Sequence, residues 1–300
     1  MDRGGFHMND DKRNPPKPAR QGASFPARLD RLAAAPSTAR ARSGPVPDAG
    51  MLRPQRLVRE AREDQLRAVA PQGLGMDSQR VREAMVQRLH QAGLVDTRVA
   101  GAMARVPRHL FVDTALANQA YEDTSLPIGL GQTISKPSVV ARMIELLCRP
   151  TATAPVQAPR PLRRVLEIGT GCGYQAAVLA QLAEQVVSIE RLRPLHDKAR
   201  ENLQPLRLLH IRLIWGDGML GHAASAPYDA IIAAAGGAQL PDAWLDQLAP
   251  GGRLVAPLER VAADGSIGQV LCVVDKLPDG SVQRTLHEAV LFVPLKSGSL

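Results

Sequence analysis

The chain has 300 residues, 45 % of them apolar and 3 % aromatic, so a sizeable core is available and is built mainly from Leu, Val, Ile and Ala. Its formal charge is +8, but residues 1–75 hold 14 Lys/Arg against 8 Asp/Glu, which leaves the remainder at only +2; with no basic face and few stacking aromatics there, nucleic acid is disfavoured as a partner. Cys148, Cys172 and Cys272 are odd in number and widely spaced, which argues against a disulfide framework or a zinc site and fits a reducing cytoplasm, while no run of about 18 apolar residues offers a membrane span.

Taken in order, residues 1–75 are rich in Pro, Arg, Ala and Gly and are expected to be a disordered basic extension. The folded domain is expected over residues 76–300. Asp77 is placed to cap a helix on which Val81, Met85 and Leu89 recur every four residues, and Gly93 to end it. Asp96 is placed to cap a second helix that stops before Pro107. Tyr121 to Lys136 is polar and turn-rich, and Pro137 suits the first turn of a helix running through Val140, Ile144 and Leu147. Residues 149–161, with four prolines, read as a surface loop.

From Arg164 the pattern alternates. Strands are predicted at Val165–Ile168, Val186–Ile189, Ile211–Ile214, Ala230–Ala234 and Arg253–Val255, with helices at Gln175–Leu182, Pro194–Leu203 and Pro241–Leu248. Such alternation implies an α/β fold: a mainly parallel, Rossmann-like sheet with helices on both faces. Gln269–Val274 and Leu286–Val293, joined through Pro278-Asp279-Gly280, read as an antiparallel end.

The most informative stretch is Val165 to Tyr174, in which a buried strand runs into Gly169-Thr170-Gly171-Cys172-Gly173 and then opens a helix. Glycines there let the backbone take positive φ and let a ligand approach closely. A dinucleotide fingerprint would require glycine at position 174, where Tyr174 stands. Glu167 before the glycines would repel a pyrophosphate but suits a cationic sulfonium, so S-adenosyl-L-methionine fits better than a dinucleotide. Glu190, followed by Arg191, lies 21 residues after Gly169 at the next strand end, where a carboxylate can accept from ribose hydroxyls. The third strand ends in Gly216-Asp217-Gly218, suited to the adenine. The cofactor candidates are thus Glu167, Gly169, Thr170, Gly171, Gly173, Glu190, Arg191, Asp217 and Gly218. Cys172 and Tyr174 read as packing residues, and His109 and His196 as surface or packing histidines rather than bases. No histidine pair has metal-ligand spacing, so no metal is expected.

Two further segments carry a resemblance. Gly131-Gln132-Thr133-Ile134-Ser135-Lys136-Pro137 with Val140-Ala141-Arg142-Met143, and upstream Val106-Pro107-Arg108-His109-Leu110-Phe111-Val112, resemble the signature of protein-L-isoaspartate O-methyltransferases. Leu166 to Gln175 resembles the cofactor motif of that family, and Phe292-Val293-Pro294-Leu295 its closing strand. The likeness covers about residues 77–296. It implies methyl transfer from S-adenosylmethionine to the free carboxylate of L-isoaspartyl residues in damaged proteins (in some members also D-aspartyl), followed by succinimide formation and repair. It also implies Ser135 as the active-site serine, with Thr133 and Ile134 lining the same pocket. Departures are Leu291 where an Arg is common, Ser138 where an aromatic is common, and Gly236-Gly237 after the fourth strand. A monomer is expected. Two other readings stay open: a methyltransferase of the same fold with another substrate, and a non-catalytic scaffold.

Overall fold

The computed structural model describes residues 79–149, 162–261 and 265–300. The expected extension at 1–75, the Asp77 cap and most of the loop at 149–161 lie outside the described residues.

The chain opens with α1 (Gln79–Gln91) and α2 (Thr97–Arg105). Met85 and Leu89 bury the inner face of α1. Gly93, at φ 106°, ends it as expected. Asp96 caps α2 by accepting from the amides of Arg98 and Val99 at 2.9 and 3.3 Å. Two 3₁₀ turns follow, at Arg108–Phe111 and Thr114–Gln119. The stretch read only as turn-rich contains a hairpin, β1 (Leu126–Gly129) and β2 (Gln132–Ile134). Its two-residue turn, Leu130-Gly131, has positive φ at both positions, 53° and 69°. That geometry matches strand twist, but leucine is not the residue that announces it. Pro137 then starts α3 (Pro137–Cys148). The amide and hydroxyl of Ser138 both donate to the Asp123 carboxylate at 2.8 Å, so the Ser138 departure ties the head of α3 to the approach to the hairpin.

The remainder is one seven-stranded sheet. In chain order it comprises β3 (Leu162–Ile168), α4 (Tyr174–Leu179), β4 (Ala183–Glu190), α5 (Arg193–Leu203) and β5 (Ile211–Trp215). These are followed by β6 (Tyr228–Ala233), α6 (Asp242–Gln247), β7 (Leu248–Val261), β8 (Ile267–Lys276) and β9 (Val282–Val290). The strand order is β5-β4-β3-β6-β7-β8-β9, parallel from β5 to β7 and antiparallel beyond. This is the expected α/β class with its antiparallel end.

Side chains alternate across each strand and so divide the core in two. Val165, Val186, Ala230, Ile232 and Val255 face α1 to α4. Leu166, Val187, Ile231, Ala233 and Leu254 face Trp244 and Leu240 on the α6 side. Parallel strands covered on both faces account for the near-continuous apolar runs. β7 is far longer than predicted: Arg253–Val255 pairs with β6 on one side and β8 on the other, Leu248 also pairs with β6, and residues 256–261 pair with β8 alone. The expected closing strand also differs, because β9 stops at Val290, and beyond it Pro294 forms only an isolated parallel bridge with Gly236.

Candidate active site

The tips of β3 and β4, the segment after β5, the hairpin and the tail converge on one cavity of about 410 Å³. The strand tips supply the first wall. Beyond Ile168 the chain turns through Gly169, Gly171 and Gly173 at φ 88°, 56° and 92°, which residues with a Cβ avoid. The turn is tightly packed: a Cβ on Gly171 would lie 3.2 Å from Ile128 Cδ1 of β1, against the hairpin. Thr170 lines the cavity and its hydroxyl shares a hydrogen bond with Ser188 Oγ at 2.6 Å.

Glu190 ends β4 and lines the cavity. The amides of Gly171 and Leu192 donate to its two oxygens at 2.8 and 2.9 Å. Each carboxylate oxygen can accept more than one bond, so capacity remains for hydroxyl donors. Arg191 also lines the cavity, and its guanidinium donates to the carbonyls of Gly298 and Ser297 at 3.0 and 3.4 Å.

The structure places Glu167 differently from the sequence reading. Ile168 faces the cavity, so its strand neighbour Glu167 points beneath the glycine turn. There it is wholly buried and accepts from Ser188 Oγ at 2.5 Å. Burial, with the Glu190 charge as a lesser contribution, pushes its carboxyl up to about 8, so it keeps its proton at neutral pH. Of the two acids it is Glu190 that lines the cavity, while Glu167 bonds Ser188, which bonds Thr170 in turn. Asp217 is likewise turned away from the lining. Its oxygens accept from the amides of Met219 at 2.8 Å and Gly298 at 2.6 Å, and it is Gly218 that reaches the cavity.

The hairpin supplies the facing wall. Thr133, Ile134 and Ser135 all line the cavity opposite the glycine turn, as the resemblance implies. His109 Nδ1 meets the Tyr121 hydroxyl at 2.7 Å and His196 Nδ1 lies 3.2 Å from Asp197, and neither belongs to the lining. Cys172 and Tyr174 do line it, but burial pushes the thiol up to about 11 and the phenol up to about 12. Both are thus neutral at physiological pH. Neither supplies an ionised nucleophile of its own.

A third wall came from residues read as a strand. Val293, Pro294 and Leu295 line the cavity, fixed by Gly236 N donating to Val293 O at 3.0 Å and Leu295 N donating to Gly236 O at 2.7 Å. A Cβ at Gly236 would sit 2.8 Å from Gln269 Nε2 and 2.9 Å from Pro257 Cβ, which explains glycine at this departure. That glycine pair was the available signal of a close backbone crossing.

The sequence profile described as protein-L-isoaspartate(D-aspartate) O-methyltransferase matches residues 79–300. The chain belongs to this family. The protein-L-isoaspartate O-methyltransferase of Methylibium petroleiphilum is 61 % identical over 280 residues, covering 93 % of this chain and 98 % of the relative. That of Leptothrix cholodnii is 59 % identical over 88 % of each chain. A solved protein-L-isoaspartate O-methyltransferase, 27 % identical, superposes with a TM-score of 0.61 over 72 % of this chain and 66 % of its own. A Plasmodium falciparum structure in complex with S-adenosyl-L-homocysteine, 24 % identical over 72 % of this chain and 98 % of its own, shares the fold with a TM-score of 0.59.

As a member of this family the chain is an S-adenosylmethionine-dependent carboxyl methyltransferase acting on isoaspartyl residues of damaged proteins. The cradle suits that donor: bare glycine backbone at the tip of β3, a buried carboxylate at the tip of β4, and a cavity continuous with the hairpin wall.

Proposed function

We propose that S-adenosyl-L-methionine lies against Gly169, Thr170, Gly171 and Gly173, with Glu190 accepting from its ribose and Arg191 and Gly218 closing the adenosine end. Asp217 and Glu167 support that cradle from behind. The isoaspartyl carboxylate enters beside Ser135, between Thr133 and Ile134 on one side and the Val293–Leu295 crossing on the other. The observation that carries this reading is the single cavity shared by the glycine turn and the Thr133-Ile134-Ser135 segment.

When bound, the donor supplies a methyl group on a cationic sulfur. The substrate carboxylate is ionised at neutral pH, so no general base is required, in keeping with a lining of neutral Cys172 and Tyr174. Ser135 donates its hydroxyl to one carboxylate oxygen and so aims the other along the line of transfer. Alignment of this kind is worth up to roughly 7–11 kcal/mol. The apolar wall of Ile134, Ile168 and Val293 keeps water out, which favours a step in which opposite charges are neutralised.

Ser135→Ala tests the assignment. Methyl-ester formation on an isoaspartyl peptide should fall by about 100-fold or more while S-adenosylhomocysteine still binds in calorimetry. Activity equal to the parent would remove Ser135 from the site. Acceptance of D-aspartyl sites is read out with the matching peptide. The protein works as a monomer in the cytoplasm, without nucleic acid or membrane. Three buried, unpaired cysteines support the reducing compartment, and no helix among the described residues is long and apolar enough to cross a membrane.

A further inference from the structure

Arg108 lies behind the active site and is wholly shut off from solvent. Its Nε donates to the carbonyl of Ala120 and its Nη2 to the carbonyl of Ser135, both at 2.7 Å. Its guanidinium carbon stands 4.7 Å from the centroid of the Tyr174 ring. Nη1 is buried with no hydrogen-bond partner. Among the described residues no carboxylate forms an ion pair with it, and the Asp123 charge acts on it only weakly. Burial lowers its proton affinity, yet a guanidinium stays protonated in proteins.

A lone buried cation costs several kcal/mol of desolvation that two carbonyls and a ring face offset only in part. A strut made for stability alone would be better served by an apolar side chain. Two of the three groups that Arg108 grips belong to residues lining the cavity: Ser135 on the hairpin side and Tyr174 at the head of the cofactor helix. Arg108 itself does not reach the lining.

We propose that Arg108 is the positioning residue of the reaction: it fixes the backbone of Ser135 against the cavity and sets a buried positive charge behind that wall, whose field favours the incoming substrate carboxylate. The assignment rests on the reading that this carboxylate docks beside Ser135. The free enzyme thus carries an unbalanced cation, and arrival of the isoaspartyl carboxylate balances it. A peptide lacking that negative charge gains nothing from it. The same residue joins the wall that holds the peptide to the helix that follows the donor cradle.

The test compares the full-length parent with Arg108→Lys, which keeps the charge, and Arg108→Gln, which keeps a donor but no charge. For each, calorimetry gives the affinity for S-adenosylhomocysteine, a melt gives the folding temperature, and an isoaspartyl peptide gives kcat and KM. Arg108→Gln should raise KM about tenfold or more with a smaller change in kcat, and Arg108→Lys should bring KM back to within about threefold of the parent. Product affinity should stay nearly constant throughout. A parallel fall of melting temperature, kcat and product affinity in both variants, or an unchanged KM in Arg108→Gln, would overturn the assignment. One measurement needs no variant. In complex with S-adenosylhomocysteine, the parent should bind the isoaspartyl peptide about tenfold or more tightly than the same peptide with that carboxylate as a carboxamide; equal binding overturns the proposal. A parent that binds S-adenosylhomocysteine but methylates no isoaspartyl peptide would refute the reading of the site itself, a result distinct from failure in the Arg108 variants alone.

Discussion

Glu167 gives the most quantitative test of how this site is built. Its carboxyl is wholly buried under the glycine turn and its pKa moves from 4.5 to about 8, chiefly by desolvation. The unfolded chain releases this proton near 4.5, whereas the folded chain retains it until pH approaches 8. Between those values the folded state binds one more proton, so stability falls as pH rises, by about 1.4 kcal/mol per pH unit. From pH 5.5 to 7.5 the loss is about 2.5 kcal/mol, and across the whole window roughly 4–5 kcal/mol. Glu167→Gln keeps the shape and cannot ionise, so the variant lacks this slope. Asp96, Glu145 and Glu288 do not obscure it. Hydrogen bonds hold their carboxyls below the usual range against the push of burial, so their contribution is lost only as pH falls through acid values. His287, lowered by burial, adds a slope of opposite sign that is common to both proteins and cancels in the difference. The assay is urea unfolding at pH 5.5 and 7.5, followed by the fluorescence of buried Trp244. The parent should lose about 2.5 kcal/mol relative to the variant between the two pH values. A difference constant to within about 0.5 kcal/mol would refute the buried, protonated carboxyl.

Two further outcomes concern the donor cradle. Glu190→Gln weakens the charge-assisted bonds from Gly171 and Leu192 and the acceptor facing the cavity; S-adenosylhomocysteine affinity should fall about 10- to 100-fold by calorimetry, and full affinity would exclude Glu190 from the cradle. Gly218→Ala brings a Cβ to 2.6 Å from Ile168 Cγ2 at the cavity wall; thermal melts should show about 1–3 kcal/mol of destabilisation together with weaker product binding, and a variant as stable as the parent would show that the wall yields freely.

Local chemistry dictated a good deal of this protein. The glycine turn, the Asp96 cap, the Pro137 start and the apolar runs of β3, β4 and β6 were legible because each depends on residues within a few positions of one another. So was the Thr133-Ile134-Ser135 segment, through a local signature. Other features depended on what lies across the fold. Glu167 and Glu190 look alike in sequence, both acidic residues at strand tips, but the alternation of side chains along β3 turns one beneath the turn as a neutral acid while the other meets the cavity. The hairpin was hidden because a Leu-Gly turn takes positive φ only when the flanking strands enforce it. The tail's crossing at Gly236 and the grip of Arg108 on Ser135, 27 residues away in sequence, are contacts between distant segments. The glycine pattern and strand-tip acids pointed to the donor, and the family resemblance implied the chemistry; which carboxyl lies buried beneath the turn, and which cation stands behind the serine, followed only once the fold set their surroundings.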